Sequence, residues 1–231
     1  MFPMYPMMDP TFLLLIPGII LAAYTQMKVK STFAKFNSVY ASRGMSADAV
    51  SRTLLDKFGL YLVRVERVRG ELTDHYDPRT KVLRLSDSVG GSSSIAAIGV
   101  AAHEVGHAVQ DKEGYAPLKF RNAFVPVANI GSMAAFPLFL IGLLMSAKPL
   151  IDLGIVLFSA VVIFHLVTLP VEFDASSRAL RLLGGTGILT QNEISGAKSV
   201  LNAAALTYVA ATVMAVMNLI RLLILARGRR D

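Results

Sequence analysis

The sequence contains no cysteine. That absence excludes a disulfide framework and any thiolate zinc site, so a metal held by this chain must sit on imidazole and carboxylate. Charge is also scarce. Only 17% of the residues are Asp, Glu, Lys or Arg, against about 25% in soluble globular domains. The N-terminal stretch lacks a basic n-region, and no convincing A-x-A site follows the first apolar run, so no cleavable signal is expected. A net charge of +7 invites a nucleic-acid reading. No binding motif accompanies it, however, and the Lys and Arg residues stand beside apolar runs, where membrane topology accounts for them. No nucleic-acid partner is expected.

What is present is hydrophobic: 54% of the residues, with a mean hydropathy of +0.54. The charge lies mostly in residues 28–123, and residues 124–171 carry almost none. This pattern predicts a helical membrane protein with one small α+β soluble insert, folded as a single unit, 1–231. About four spans are expected, near residues 11–27, 124–147, 151–171 and 203–226, with the soluble catalytic insert near 28–123. Pro17 and Gly18 interrupt the first span and suggest a kink or a re-entrant segment.

A short connection makes the second and third spans an antiparallel pair, so the residues before the second lie on the same side as those after the third. Lys28, Lys30, Lys35, Arg43, Lys112, Lys119, Arg121, Arg178 and Arg181 flank the spans on that side, against Lys148 on the other. The positive-inside rule therefore expects the insert in the cytoplasm, with the lipid bilayer as a partner. Four full crossings would place Arg227, Arg229 and Arg230 on the opposite side, against the same rule.

Within the insert, Ser46–Phe58 has helical spacing, a Ser cap and a terminal Gly59. Strand-forming segments follow at Tyr61–Val68, Glu71–Tyr76 and Lys81–Leu85, read as a β-hairpin or meander. Ser93 or Ser94 then caps a helix running to about Lys112, with Gly114 as its stop.

That helix carries His103-Glu104-Val105-Gly106-His107. Two His at i and i+4 share one face and can bind one Zn2+, while Glu104 stands at the ion's edge as a general base. A bare motif of this kind occurs by chance on solvated helices. Here the flanks, Ala96 to Ala102 and Ala108-Val109, are small and apolar, so the motif is expected on a buried helix. Unpartnered His and Glu would be costly there. The chain has four His in all, and two fall here.

A third protein ligand is required for a catalytic zinc site. Glu113 stands ten residues after His103, as in the metzincin pattern, but that pattern needs Gly at position 110, which is Gln. Glu172, just past the third span, is the favoured alternative, because an acid at that depth needs a partner.

At Asp74-His75-Tyr76-Asp77-Pro78, Leu83-Arg84-Leu85-Ser86, Ala101 through Gln110, and Leu169-Pro170-Val171-Glu172-Phe173, the sequence resembles the YugP-type neutral zinc metallopeptidases of bacterial membranes. More distantly it is similar to the gluzincin membrane proteases, including the heat-shock membrane protease and the CAAX-prenyl endopeptidase. The resemblance implies a zincin-like fold and a zinc endopeptidase of the bacterial cell membrane, acting on peptides or proteins, membrane proteins included. It implies His103, His107 and Glu172 as ligands and Glu104 as base. The relatives' E-x-x-x-D pattern has Asp where this chain has Ser176, so the acid that orients a ligand His falls to Asp174 or another carboxylate. The relatives also pair substrate with an edge strand ahead of the zinc helix, the place of Lys81–Leu85 here. His75 is a candidate to hydrogen-bond a tetrahedral intermediate or to order the Asp77-Pro78 turn. Arg178 and Arg181 could neutralise carboxylates near the site. The competing reading is a non-catalytic membrane protein that keeps zinc for structure or regulation.

Overall fold

The computed structural model describes residues 10–228. A 3-10 turn, Pro10–Leu15, leads into α1 (Ile16–Asn37). Then come α2 (Ala47–Lys57), strands β1 (Arg64–Val68), β2 (His75–Asp77) and β3 (Val82–Ser86), and four further helices: α3 (Ile95–Glu113), α4 (Ala116–Leu144), α5 (Lys148–Gly185) and α6 (Gln191–Arg227). Among the described residues, four helical stretches are long and apolar enough to cross a membrane: Pro10–Asn37, Ala116–Leu144, Lys148–Gly185 and Gln191–Arg227.

These helices outrun the expected spans. Apolarity ends where the bilayer ends, but a helix continues for as long as its next turn can be packed. Pro17 does not break α1, because it falls in the first turn, where a missing N–H costs little. Of the C-terminal arginines, Arg229 and Arg230 lie outside the described residues.

The chain divides into two compact units. One takes Met1–Thr25, Phe120–Leu169 and Thr207–Asp231, of which the described residues are helical apart from the short 145–147 link and Gly228. Here α4 and α5 pack through small residues: a Cβ on Gly131 would lie 2.7 Å from the Leu157 carbonyl oxygen, and one on Gly154 would lie 2.8 Å from that of Ala135. Small residues let membrane helices approach backbone to backbone.

The second unit takes Gln26–Lys119 and Pro170–Leu206. Its core is α3, whose Ile98, Val105 and Val109 pack with Leu54 and Leu55 of α2, Leu83 and Leu85 of β3, and Leu183 of α5. Capping is local and follows the sequence. Ser46 accepts the Ala49 N–H, Ser94 accepts the Ala97 N–H, and Gly114 closes α3 with a left-handed φ of 67°.

The sheet differs from a meander. Its order is β1-β3-β2, with β1 parallel to β3 and β2 antiparallel to it. The strand at Val82–Ser86 is therefore central, with both edges occupied, and cannot serve as the substrate-pairing edge. The strand expected at Glu71–Tyr76 begins only at His75, because the chain turns sharply before it: Gly70 has φ 114° and Leu72 φ 53°.

Candidate metal centre

The small residue inside the motif decides the geometry. A Cβ on Gly106 would lie 2.6 Å from the Ala175 carbonyl oxygen. The α3 and α5 backbones thus touch at Gly106 and Ala175, which brings His103 and His107 beside Glu172. The ligand-capable atoms of these three residues all lie within 4.8 Å of one another. Nε2 of His103 is 3.2 Å from Glu172 Oε2, and Nε2 of His107 is 3.6 Å from the same oxygen. His107 and Glu172 are buried.

The other nitrogen of each ring is committed elsewhere. His103 Nδ1 lies 3.1 Å from Ser176 Oγ. His107 Nδ1 lies 2.9 Å from Gln110 Oε1. Gln110 Nε2 donates to the Val171 carbonyl and to Asp174 Oδ2, both at 2.8 Å. Those two partners can only accept, so the amide's orientation is fixed and its oxygen faces His107. His107 then presents N–H at Nδ1, and in the neutral ring the remaining lone pair is on Nε2, the atom that faces a carboxylate oxygen. Two acceptors facing each other in a buried site are satisfied by a proton or a metal ion between them. The donor set, two imidazole nitrogens and one carboxylate, suits zinc with one position left open. The residues present therefore fit the metal.

Glu104 follows His103 on α3 and is buried. Burial pushes its carboxyl up to about 7, with the Glu172 and Asp74 carboxylates adding to the rise and His103 opposing it. The Tyr76 backbone of β2 also opposes the rise. Asp74 sits just ahead of β2 and accepts from the Ser86 N–H at 2.7 Å and from the Ser86 hydroxyl. Burial raises its own carboxyl.

Glu113 is half-exposed and pairs with Arg178 at 2.5 Å, so it stands apart from the cluster. Arg178 also donates to Asp174 Oδ2 at 2.5 Å. Asp174 thus reaches His107 through Gln110 rather than directly, and the Ser176 hydroxyl stands where the relatives' Asp was expected to act. His75 is exposed on β2, with Nδ1 at 2.9 Å from the Thr73 carbonyl and Nε2 at 3.4 Å from Arg84, and it does not join the three converging residues. Gln110 and Asp74 carried no signal as single residues in the sequence. Gln110 lies three positions past His107 on the same helical face, and that spacing is the clue that could have found it.

Four apolar helices and a His–His–carboxylate cluster in one chain define the class: a zinc metallopeptidase of the membrane. Residues 11–227 match the family described as "putative neutral zinc metallopeptidase", and the chain belongs to that family. It is similar to the "putative membrane protease YugP" of Bacillus subtilis (strain 168), with 49% identity over 218 residues, covering 94% of this chain and 97% of that protein. No solved structure matches. Zinc is accordingly the cofactor, and the chain is a membrane protein.

Proposed function

We propose that this protein is a membrane-embedded zinc endopeptidase in which His103, His107 and Glu172 hold the ion and Glu104 is the general base. One observation carries the reading: Nε2 of His103 and Nε2 of His107 converge on Glu172 Oε2 at 3.2 and 3.6 Å, two imidazoles and one carboxylate gathered as a zinc donor set. Bound there, zinc would supply the polarisation of a scissile carbonyl and the acidification of a water. Glu104 takes a proton from that water as its oxygen bonds to the carbonyl carbon. When the C–N bond breaks, Glu104 returns the proton to the leaving amine. A purely structural zinc site has no use for this buried acid.

Extended substrate belongs on β2, an outer strand of the sheet, and backbone pairing there gives affinity with little sequence selectivity. Lys28, Lys30, Lys35 and Arg43 after the first apolar run, with Lys112, Lys119 and Arg121 before the second, favour a cytoplasmic site. The substrates are then peptides or proteins met at that membrane face, membrane proteins among them.

The test compares Glu104→Gln with His103→Ala in purified protein. The Gln variant keeps zinc and loses cleavage by about 10²–10⁴-fold, the usual worth of a positioned proton-transfer group. The Ala variant loses both zinc and cleavage. Undiminished cleavage by Glu104→Gln rejects the mechanism. Wild-type protein that binds zinc but cleaves nothing returns the function to the non-catalytic reading.

A further inference from the structure

We propose that Gln110 is the positioning residue of the zinc site: a buried amide relay that fixes which His107 nitrogen faces the metal and ties that ring to the Asp174–Arg178 ion pair on α5. This rests on the assignment of His107 as a ligand and goes beyond it. The family resemblance supplies an acid as the partner of a ligand His, and here a neutral side chain does that work.

Gln110 is fully buried. A buried primary amide has two donor hydrogens and one oxygen to satisfy, and leaving any of them unpaired costs about 1–3 kcal/mol. All are used. The oxygen accepts from His107 Nδ1 at 2.9 Å, and the nitrogen donates to the Val171 carbonyl and to Asp174 Oδ2, each at 2.8 Å. Turning the amide over would set its oxygen against two acceptors, the Val171 carbonyl and Asp174 Oδ2. The three bonds therefore allow one orientation, and that orientation allows one His107 tautomer.

Asp174 Oδ2 is held in turn by Arg178 Nε at 2.5 Å, and Arg178 Nη1 holds Glu113 at 2.5 Å. The chain of contacts therefore runs His107, Gln110, Asp174, Arg178, Glu113. It crosses from α3 to α5 and back to the end of α3. Two of its five members lie on the helix that supplies Glu172. The relay thus sets the ring of one proposed ligand against the helix that carries another.

The neutrality of residue 110 follows from its surroundings. A carboxylate here would give His107 a stronger acceptor. It would also face the Asp174 carboxylate and the Val171 carbonyl, both of which can only accept. A simple orienting acceptor and a relay therefore make opposite forecasts for Gln110→Glu. If residue 110 only needs to accept from His107, the Glu variant holds zinc as well as wild type or better. If it must also donate to α5, the Glu variant fails. Changing Asp174→Asn in the same molecule then restores a donor–acceptor pair with the two groups exchanged.

The experiment measures zinc affinity by chelator competition in full-length, detergent-purified protein, together with the thermal midpoint of each zinc-free variant. Gln110→Glu is expected to weaken zinc by about 10–100-fold, the range typical of lost outer-shell partners. Gln110→Glu with Asp174→Asn should recover most of that loss. The milder Asp174→Asn alone, at a partly exposed residue, should weaken zinc by several-fold and covers the case in which Gln110→Glu fails to fold. Cobalt(II) absorption reports the ligand geometry, which a purely structural role for Gln110 would leave unchanged in the folded fraction.

Zinc affinity within twofold of wild type in both Gln110→Glu and Asp174→Asn overturns the relay. So does a double variant no better than Gln110→Glu alone. His103→Ala is the control: if it binds zinc as wild type does, the site itself has been misassigned, and that outcome is distinct from failure of the relay.

Discussion

Gly106 and Ala175 meet across α3 and α5 so closely that a single added methyl would stand 2.6 Å from the Ala175 carbonyl oxygen and 3.2 Å from its Cα. The partner atoms are backbone and cannot rotate away. Two effects compete in Gly106→Ala. Alanine improves helix propensity by about 1 kcal/mol. Overpacking a tight contact costs about 1–3 kcal/mol and relieves itself by moving the helices apart. The second effect should win, and the movement should separate His103 and His107 from Glu172. The expected result is normal helical circular dichroism with zinc affinity reduced at least ~10-fold, because ligand placement tolerates only a few tenths of an ångström. A variant with unchanged zinc affinity would show that this contact does not set the site.

The third ligand is a choice between Glu172 and Glu113, and the two stand in different chemistry. Glu172 faces both imidazoles, whereas Glu113 faces Arg178. Metal analysis should find that Glu172→Gln lowers zinc occupancy severely at limiting metal. Glu113→Gln should stay near one zinc per chain, with a loss of no more than a few-fold through the Arg178 link. The reverse ranking would move the site to the end of α3.

How much of this was legible in the sequence depends on the range of the interaction. Ser46, Ser94 and Gly114 end their helices by bonding within a turn or two of their own backbone, so their roles are written locally. The His103–His107 spacing is equally local. The order β1-β3-β2 was not legible, because parallel pairing of Arg64–Val68 with Val82–Ser86 is decided by packing across the intervening chain. The helix ends of α4 and α5 were hidden for a related reason: Pro126, Pro137 and Pro170 lie inside helices that neighbouring segments support. Glu172 could be reached from the sequence by a topological argument. Gln110 was legible only in part: its spacing from His107 is local, but its two acceptors, Val171 and Asp174, lie more than sixty positions away.

The start of the zinc helix rests on one hydroxyl. Ser94 is fully buried, accepts the Ala97 N–H at 3.1 Å and donates to Asn37 Oδ1 at 2.8 Å. Ser94→Ala removes the cap and leaves the Asn37 oxygen without this donor. A loss of about 1–2 kcal/mol is expected, read as a lower thermal or denaturant midpoint. Zinc affinity measured on the folded fraction should barely change, because the cap lies nine positions before His103. A large drop in zinc affinity with no change in midpoint would contradict this separation of roles.

Glu104 links the site to pH in the zinc-free protein. Burial holds its carboxyl at about 7, against an ordinary 4.5. Between those values the folded chain keeps a proton that the unfolded chain has shed. Folding stability therefore falls as pH rises from about 4.5 to about 7, and this contribution is flat above that. Glutamine has no proton to lose. Wild type and Glu104→Gln should thus have similar midpoints near pH 5, with the Gln variant more stable by pH 8, by up to about 3 kcal/mol for a shift of this size. Saturating zinc should narrow the gap, because a cation beside the carboxylate favours its charged form. A stability difference that stays constant across this range, or that grows toward low pH, would show that Glu104 is not held in its acid form by burial.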